Sequence, residues 1–122
     1  SERKVIICDR FIDSTLAYQV YGKGVNINFV NSIHKFILGS LKPDLTFVLK
    51  LNLSKALQRL KKRKKKNRYD KFSKSFYNKV QNAFVKIAKT NNKRYILLDS
   101  SLDNDAVETI IFEKVMKKLN RI

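Results

Sequence analysis

The sequence predicts an α/β protein, a three-layer sandwich in which helices cover both faces of a parallel sheet. Three short apolar runs, at residues 5–8, 45–51 and 95–98, have the length of strands. Their side chains do not alternate between apolar and polar, which is typical of strands buried on both faces. The segments between them repeat apolar residues at helical spacing. Strands that alternate with helices favour a parallel sheet.

The first half of the chain begins with one strand and two helices. The strand at residues 5–8 precedes a helix predicted from about 14 to 21, and Gly22 ends this helix. A second helix ends at Gly39. It is predicted by apolar residues three or four positions apart, namely Ile27, Val30, Ile33, Phe36 and Ile37.

The second half continues the alternation of strands and helices. Pro43 keeps the residue before it extended and leads into the strand at residues 45–51. Three further helices are predicted, at about residues 54–62, 73–89 and 103–120. The last of these carries acidic residues in its first turn and basic residues in its last turn, which matches the helix dipole. The third strand, residues 95–98, is followed by Asp99.

Composition limits the classes of protein that the chain can belong to. It has 122 residues, a formal net charge of +17 and 43% hydrophobic residues, which indicates one globular domain rather than a disordered chain. The charge indicates either a surface for nucleic acid or membrane or abundant lysine on a solvated surface, which we favour. No apolar run approaches the roughly 18 residues of a membrane span. The single Cys8, in a predicted core strand, favours a reducing, cytoplasmic setting.

Two opposite charges, Asp9 and Arg10, follow directly after the first predicted strand. In a parallel sheet the ligand-binding crevice lies beyond the carboxyl ends of the strands. A charge buried there is unfavourable unless it is paired or binds a charged ligand. The two residues therefore predict either an anion-binding site or an internal Asp–Arg ion pair that ends the strand, and the residues that follow favour the site.

Two longer motifs give the chain a family resemblance. Residues 9–19 read D-R-F-I-D-S-T-L-A-Y-Q, and residues 39–49 read G-S-L-K-P-D-L-T-F-V-L. In this order they resemble the thymidylate kinases, which phosphorylate dTMP with ATP. The resemblance covers nearly the whole chain and implies a P-loop nucleotide-kinase fold. It also implies Mg²⁺ that bridges the ATP phosphates, with no metal site formed by the protein alone.

The resemblance implies that Arg10 lies at the centre of an acceptor site. A guanidinium can hold a phosphate through two parallel hydrogen bonds, and in the family this arginine binds the dTMP phosphate. Arg10 and Asp9 are thus the catalytic candidates at this end of the reaction. Asp9 would either orient Arg10 or hold the water shell of the metal, and the sequence leaves both roles open.

Four more residues of the first motif are candidates for binding dTMP. Ser14 and Thr15 occupy the base-contacting positions of the family, although short hydroxyl side chains also cap helices. Tyr18 matches the aromatic residue that packs under the deoxyribose and disfavours a ribose 2′-hydroxyl; the alternative is a core tyrosine. Gln19 also matches the motif, either as a contact near the base or as a surface residue.

A dense block of positive charge follows the second strand. Eight of the ten residues 59–68 are basic, and like charges at this density repel each other, so we expect a mobile loop until phosphate binds. The family has a lid here, at about residues 61–73, whose arginines close over ATP. The resemblance implies that the ATP-binding residues are Arg63 and Arg68, both catalytic, then Arg59, and Asp99 in a turn near the adenine. The family's D-R-x-E is altered at Asn67 and Asp70, which leaves the role of Asp70 open.

The sequence lacks the glycine-rich phosphate loop of the family. It has three glycines and no G-x-x-x-x-G-K-[S/T] motif. We therefore interpret residues 1–122 as the carboxy-terminal part of a single nucleoside-monophosphate kinase domain whose amino-terminal part is missing, and expect it to be inactive alone. The full-length protein is expected to be a cytoplasmic homodimer that converts dTMP to dTDP for dTTP synthesis, with dimer contacts from the helix at residues 27–37.

Two other functions fit parts of the sequence. Another nucleoside-monophosphate kinase, or a deoxynucleoside kinase, would share the sheet and the Asp-Arg step, but Thr15 and Tyr18 favour a deoxypyrimidine monophosphate. A basic nucleic-acid-binding module would use the charged block at residues 59–68. That alternative leaves Asp9 and Arg10 unexplained, so binding to nucleic acid is not the expected function.

Overall fold

The computed structural model describes residues 2–51, 54, 55, 58, 73–101 and 103–120. In chain order the elements are α1 (Ile12–Thr15), a π-helical segment that continues it (Leu16–Gly22), α2 (Ile27–Leu38), β1 (Thr46–Lys50), α3 (Lys74–Ala88), β2 (Tyr95–Asp99) and α4 (Asn104–Leu119). None of the described helices is both long and apolar enough to span a membrane. Helices and strands alternate along the chain as the sequence predicts.

The two strands of the described residues form a parallel pair. Thr46 of β1 lies opposite Tyr95 of β2, and the register runs without a bulge to Lys50 opposite Asp99. The backbone N–H of Thr46 donates to the carbonyl of Arg94 at 2.8 Å, and the N–H of Ser100 donates to the carbonyl of Lys50 at 2.8 Å. The parallel pairing confirms the predicted type of sheet.

Helix α3 forms the centre of the packing because it contacts both strands and the π-helical segment. The buried residues of this core are Ala17, Val48, Val80, Ala83, Ile87, Ala88 and Tyr95. A polar contact joins α3 to the end of β1, since the backbone N–H of Leu51 donates to the side-chain oxygen of Gln81 at 3.1 Å. This helix therefore buries an apolar face.

Gly22 allows the π-helical segment to approach α3 closely. A Cβ atom at this position would lie 2.9 Å from Cε2 of Phe76 and 3.2 Å from Cγ2 of Val80. It would also lie 3.3 Å from the carbonyl oxygen of Ala17. A larger residue would therefore push the two helices apart or displace the ring of Phe76, and the absence of a side chain keeps the segment seated.

Local side-chain contacts define where the longer helices begin. The side chains of Asn26, Ser73 and Asp103 each accept a hydrogen bond from the backbone three residues later, at 3.1, 3.2 and 2.7 Å, and so cap α2, α3 and α4. Gly39, with a φ of +59°, ends α2 as predicted. The helices predicted at about 73–89 and 103–120 are confirmed to within one residue at each end.

The predicted first strand is wrong. Residues 5–8 have no regular secondary structure, and the exposed fractions are 62% for Val5, 88% for Ile6 and 91% for Ile7. A strand exists only when a neighbour completes its backbone hydrogen bonds, and in the described residues β1 and β2 pair with each other alone. Cys8 is consequently exposed rather than part of the core, and its thiol donates to the Arg10 carbonyl at 3.3 Å.

Helix α4 buries none of its residues, and the segments predicted at about 54–62 and 61–73 lie mostly outside the described residues. Helix α4 forms where it is predicted, but none of its described residues is buried, and Phe112 is 64% exposed. The helix expected at about 54–62 is helical at residues 54, 55 and 58, and the rest of it lies outside the described residues. The lid at 61–73 also lies outside them, apart from residue 73, which caps α3.

Candidate active site

Arg10 lies next to the aromatic ring of Tyr18. Its guanidinium carbon is 5.7 Å from the centroid of that ring, and its side chain is on the surface. Such a contact is worth about 0.5–1 kcal/mol at an exposed site. Because this contact is weak, a phosphate that accepts charge-assisted hydrogen bonds from the guanidinium can compete with the Tyr18 ring for it. Arg10 and Tyr18, both candidates for the acceptor site, are therefore neighbours.

The backbone of Arg10 is in an uncommon conformation. Its φ is +66°, in the left-handed region that few residues other than glycine adopt. Because residues 5–8 form no strand, the expected position of Arg10 at the carboxyl end of a strand is not observed. Asp9 is also exposed and forms no ion pair with Arg10. An internal Asp9–Arg10 pair that ends a strand, the alternative considered for these charges, is therefore wrong.

The ring of Tyr18 is held from behind by two phenylalanines of α3. Its centroid lies 6.1 Å from that of Phe76, at a tilt of 46°, and 6.1 Å from that of Phe84 in an edge-to-face arrangement. Tyr18 is only half-buried and belongs to the π-helical segment, a geometry that recurs at functional sites. Tyr18 therefore packs against the core and is also partly exposed at the surface.

Ser14, Thr15 and Gln19 lie on the same continuous helix as Tyr18. Helix α1 has Phe11 at its N-cap position and no side-chain cap, so the capping role considered for Ser14 and Thr15 is wrong. Both residues are partly exposed and lie one turn before Tyr18. Gln19 is half-buried, and its backbone carbonyl accepts a hydrogen bond from the N–H of Val25 at 2.9 Å.

A buried polar cluster, which no sequence motif indicated, lies beneath this helix. Asp13 is only 7% exposed, and its carboxylate accepts a hydrogen bond from the Tyr95 hydroxyl at 2.8 Å. Nη2 of Arg94 lies 4.0 Å from the other oxygen of Asp13. The guanidinium carbon of Arg94 also lies 4.8 Å from the centre of the Tyr95 ring. The cluster joins α1 to the first residue of β2.

The environment of Tyr95 keeps its hydroxyl protonated. Burial, the hydrogen bond to Asp13 and the negative charge of Asp13 together raise the pKa of Tyr95 to about 12, against a partly opposing effect of Arg94. A phenol that remains neutral is a donor at every physiological pH. The hydrogen bond from Tyr95 to Asp13 therefore keeps its donor throughout the physiological pH range. The sequence signal for it is weak, because an acid within a motif and an Arg-Tyr step before a strand are both common.

Asp99 lies at the opposite end of β2 and does not join the Arg10 group. Its carboxylate accepts hydrogen bonds from the backbone N–H of Ser101 at 2.9 Å and from the Ser101 hydroxyl at 2.5 Å. These two bonds lower the pKa of Asp99 below its usual value. Together with Lys50, Leu97 and Leu98, the two residues line an open depression of about 430 Å³ at the carboxyl end of the sheet.

The remaining predicted ATP-binding residues cannot be placed. Arg59, Arg63 and Arg68 lie outside the described residues. Across the part of the chain that the structure describes, no three His, Cys, Asp or Glu side chains come together in a way that could hold a metal ion. The described site thus consists of an arginine over an aromatic ring, flanked by short hydroxyl side chains. This arrangement suits an anion attached to a flat, partly apolar group.

Comparison with known proteins identifies the family. The profile described as thymidylate kinase matches residues 1–111. The chain belongs to the thymidylate kinase family. It is 36% identical over 118 residues to a thymidylate kinase of Acholeplasma laidlawii, with 95% of this chain and 58% of that protein covered. It is 39% identical over 120 residues to one of Wolbachia pipientis from Culex pipiens, with 96% and 56% covered.

A solved structure agrees with this membership of the thymidylate kinase family. The crystal structure of thymidylate kinase from Ehrlichia chaffeensis matches with a TM-score of 0.67 and 27% identity, over 93% of this chain and 49% of that one. This likeness confirms the predicted α/β class and the P-loop kinase fold. The chain spans about half the length of the family members that it matches.

Proposed function

We propose that this chain is the carboxy-terminal part of a nucleoside-monophosphate kinase domain that transfers the γ-phosphoryl group of ATP to dTMP and releases dTDP. The observation that carries the proposal is the exposed Arg10 guanidinium, 5.7 Å from the Tyr18 ring, within the motif that defines the resemblance. Membership of the thymidylate kinase family supports the same reaction. The activity is expected of the full-length protein, meaning this chain together with a phosphate-binding segment.

The described residues support the following proposal for the acceptor end of the reaction. Arg10 leaves the face of Tyr18 and holds the dTMP phosphate, which fixes the attacking oxygen. The Tyr18 ring, supported by Phe76 and Phe84, packs against the deoxyribose and leaves little room for a 2′-hydroxyl. Ser14, Thr15 and, more weakly, Gln19 contact the base. Phosphoryl transfer needs positioning and charge neutralisation more than covalent chemistry, and this is what these residues supply.

The ATP end is assigned from the motif alone. Arg63 and Arg68, followed by Arg59, are the proposed lid residues that neutralise the transferring phosphoryl group. Asp99 is proposed to lie near the adenine. Mg²⁺ bound together with ATP would supply neutralisation of the phosphate charge. The exposed Asp9 carboxylate, which makes no ion pair among the described residues, fits a role in holding the water shell of that ion.

The length of the chain bears on its activity. No G-x-x-x-x-G-K-[S/T] motif is present in its 122 residues, and the family members that it matches are about twice as long. Without a loop whose N–H groups hold the ATP phosphates, residues 1–122 should have negligible kinase activity.

The full-length protein is proposed to act in the cytoplasm as a homodimer, in the synthesis of dTTP.

The direct test compares acceptors for the full-length protein with ATP as donor. The rate of ADP formation should be highest with dTMP and much lower with dUMP, dCMP or thymidine. Equal rates with all four, or a preference for a nucleoside, would favour another nucleotide or deoxynucleoside kinase. Robust turnover by residues 1–122 alone would contradict the proposed division of the domain.

A variant of Arg10 tests the acceptor assignment. Arg10→Ala should reduce kcat/KM for dTMP by roughly 100-fold, because a charged contact that holds the reacting group is lost. The KM for ATP should stay within about twofold of the parent value if only the acceptor contact is removed. Arg3→Ala, which removes an exposed arginine outside the motif, is the matched control. Equal losses for both substrates would indicate a damaged fold.

The alternative of a nucleic-acid-binding module predicts a different result. It requires binding to DNA or RNA that weakens steeply and linearly in a plot of log K against log salt, with no dependence on dTMP. The Arg10→Ala substitution would leave that binding nearly unchanged, because the basic block at residues 59–68 would carry it. Measurement of the salt slope for both proteins separates the two functions.

A further inference from the structure

We propose that the buried hydrogen bond between Tyr95 and Asp13 is a positioning device for the acceptor site. In this inference Tyr95, the first residue of β2, sets the placement of α1 and thereby of Arg10, Ser14 and Tyr18. The inference rests on the proposed function, because it concerns how dTMP is held. Neither Asp13 nor Tyr95 contacts the substrate in this arrangement.

The start of α1 needs a contact of this kind, because local interactions do not fix it. Phe11 occupies its N-cap position and provides no side-chain hydrogen bond, unlike the capping residues of α2, α3 and α4. Arg10, directly before, has a φ of +66°. A conformation of that kind persists only when surrounding structure holds it in place. The contact three residues further along, at Asp13, is a candidate for that support.

The contact is long-range and directional. Asp13 and Tyr95 are 82 positions apart, and the hydroxyl-to-carboxylate distance is 2.8 Å. Asp13 is 7% exposed and Tyr95 is 8% exposed, so water does not compete strongly for either group. Because Asp13 is adjacent to Ser14 and one turn from Arg10 and Ala17, a movement of its carboxylate moves the whole first turn. The bond therefore ties the acceptor residues to the sheet.

Arg94 has a different part in the cluster from Tyr95. Its Nη2 atom is 4.0 Å from Asp13, and in the described part of the chain neither Nε nor Nη2 makes a hydrogen bond. It therefore balances the buried negative charge without fixing its direction. Among the described residues, the Tyr95 hydroxyl is the side-chain group that donates a hydrogen bond to the Asp13 carboxylate and so fixes its direction. Removal of that hydroxyl leaves the charges balanced, so it tests positioning separately from burial of an unpaired charge.

Tyr95→Phe in the full-length protein is the decisive variant. We expect the KM for dTMP to rise roughly 10-fold, since small displacements of positioning groups have effects of that order or larger. The KM for ATP should remain within about twofold. Backbone amides of residues 12–18 should exchange faster with solvent than in the parent protein. Kinetics are measured well below the unfolding temperature of every variant, so that all are folded.

Ile87→Val is the matched control, because it removes one buried methyl group from α3 without touching the hydrogen bond. It should lower the unfolding temperature while the KM for dTMP and the exchange of residues 12–18 stay at parent values. If Tyr95→Phe behaves like this control, with reduced stability and an unchanged KM for dTMP, the hydrogen bond is merely structural and the inference is wrong. A parallel rise in both KM values would also overturn it.

Asp13→Asn gives a second, independent comparison. The amide oxygen can still accept the Tyr95 hydrogen bond, but the charge opposite Arg94 is lost. If the variant folds, its KM for dTMP should rise less than that of Tyr95→Phe, and a larger rise would assign the effect to charge instead. If it does not fold, Tyr95→Phe decides alone. Failure of the parent protein to use dTMP overturns the proposed function and this inference together, whereas normal use of dTMP by Tyr95→Phe overturns this inference only.

Discussion

At the scale of single residues, the candidate site combines an exposed cation with an aromatic ring that is packed against the core. Arg10 is exposed and held by a weak contact with the Tyr18 ring, so a phosphate can draw it away. Tyr18 cannot move in the same way, because Phe76 and Phe84 pack against it from α3. This arrangement suits a ligand whose charge is bound by Arg10 and whose shape is recognised by the ring of Tyr18.

We predict that Tyr18 determines the preference for a deoxyribose over a ribose acceptor. Tyr18→Ala removes a ring that is fixed from behind, and we expect the preference for dTMP over its ribose counterpart to fall about 10-fold, as the 2′-hydroxyl no longer meets a rigid surface. The measurement is kcat/KM for both acceptors with the full-length protein. Tyr21→Ala, on the same segment but outside the motif, should keep the parent preference. An unchanged preference in Tyr18→Ala would remove Tyr18 from the site.

Tyr95 carries a prediction about stability and pH. Its pKa is raised to about 12 in the folded chain, while an unfolded tyrosine titrates near 10. The hydroxyl therefore makes its full contribution to the free energy of unfolding below about pH 10. This contribution is lost as the pH rises towards 12, because the unfolded state releases its proton at a lower pH than the folded state. The free energy of unfolding of the parent, relative to Tyr95→Phe, should fall by roughly 2 kcal/mol over that range.

Urea denaturation of the full-length protein and of Tyr95→Phe at pH 9, 10.5 and 11.5 checks this expectation. The comparison cancels the titration of the other tyrosines and the lysines, since both proteins contain them. A difference that stays constant from pH 9 to 11.5 would mean that the Tyr95 hydroxyl is not held by Asp13. A difference that grows with pH would contradict the sign of the raised pKa.

At the scale of elements, features with local causes were predictable and features with distant causes were not. Helices α3 and α4 begin one residue after Ser73 and Asp103, whose side chains cap them, so a few neighbouring residues determine where they start. The strand expected at residues 5–8 depends on a neighbouring strand, which its own sequence cannot supply. The Asp13–Tyr95 hydrogen bond joins residues 82 positions apart, and no periodicity or motif indicates that pairing.

The same division applies to the candidate site. The motif at residues 9–19 indicated Arg10, Ser14, Thr15 and Tyr18, and the helix that carries the last three was predicted to within two residues. Its π-helical geometry was not predicted, because the packing of Gly22 against α3 is a tertiary contact. Asp13, in the middle of the motif, received no role for a related reason. Its importance lies in partners that fold against it.

Gly22 allows a test of that tertiary contact. Gly22→Ala places a Cβ 2.9 Å from Phe76, whose ring is packed against Tyr18 and cannot retreat freely. We expect a loss of about 1–3 kcal/mol in the free energy of unfolding, as for other overpacked positions. In the double variant Gly22→Ala/Phe76→Leu, the loss in the free energy of unfolding should be smaller than the sum of the losses in the two single variants. Urea denaturation measures all three variants.

Gly24→Ala is the control for Gly22→Ala. Nothing lies within 4 Å of a Cβ at Gly24, but its φ of +75° is unfavourable for alanine, so only a backbone effect of about 1 kcal/mol is expected. In the double variant Gly24→Ala/Phe76→Leu, the loss in the free energy of unfolding should equal the sum of the losses in the two single variants. If Gly22→Ala is also additive with Phe76→Leu, the close approach of the π-helical segment to α3 does not constrain the fold.

At the scale of the whole molecule, the described part of the chain buries few large side chains. No large side chain in it is fully buried, and apolar residues stay exposed on the first segment, on both strands and on α2. A folded domain rarely leaves so much apolar surface in contact with water. This agrees with the proposal that further parts of the same domain, and a second copy of it, pack against these surfaces in the full-length protein.

Helix α2 is the surface proposed for the homodimer. Phe29, Ile33, Phe36 and Ile37 follow one face of the helix, and each of them is exposed, from 40% for Ile33 to 91% for Phe36. Phe36→Glu places a charge where two apolar faces would meet, so the full-length protein should change from dimer to monomer at micromolar concentration in light scattering coupled to size exclusion. Phe112→Glu, at an exposed phenylalanine of α4, should leave the dimer intact. A Phe36→Glu protein that remains dimeric would place the interface elsewhere, and a monomeric parent would reject the homodimer itself.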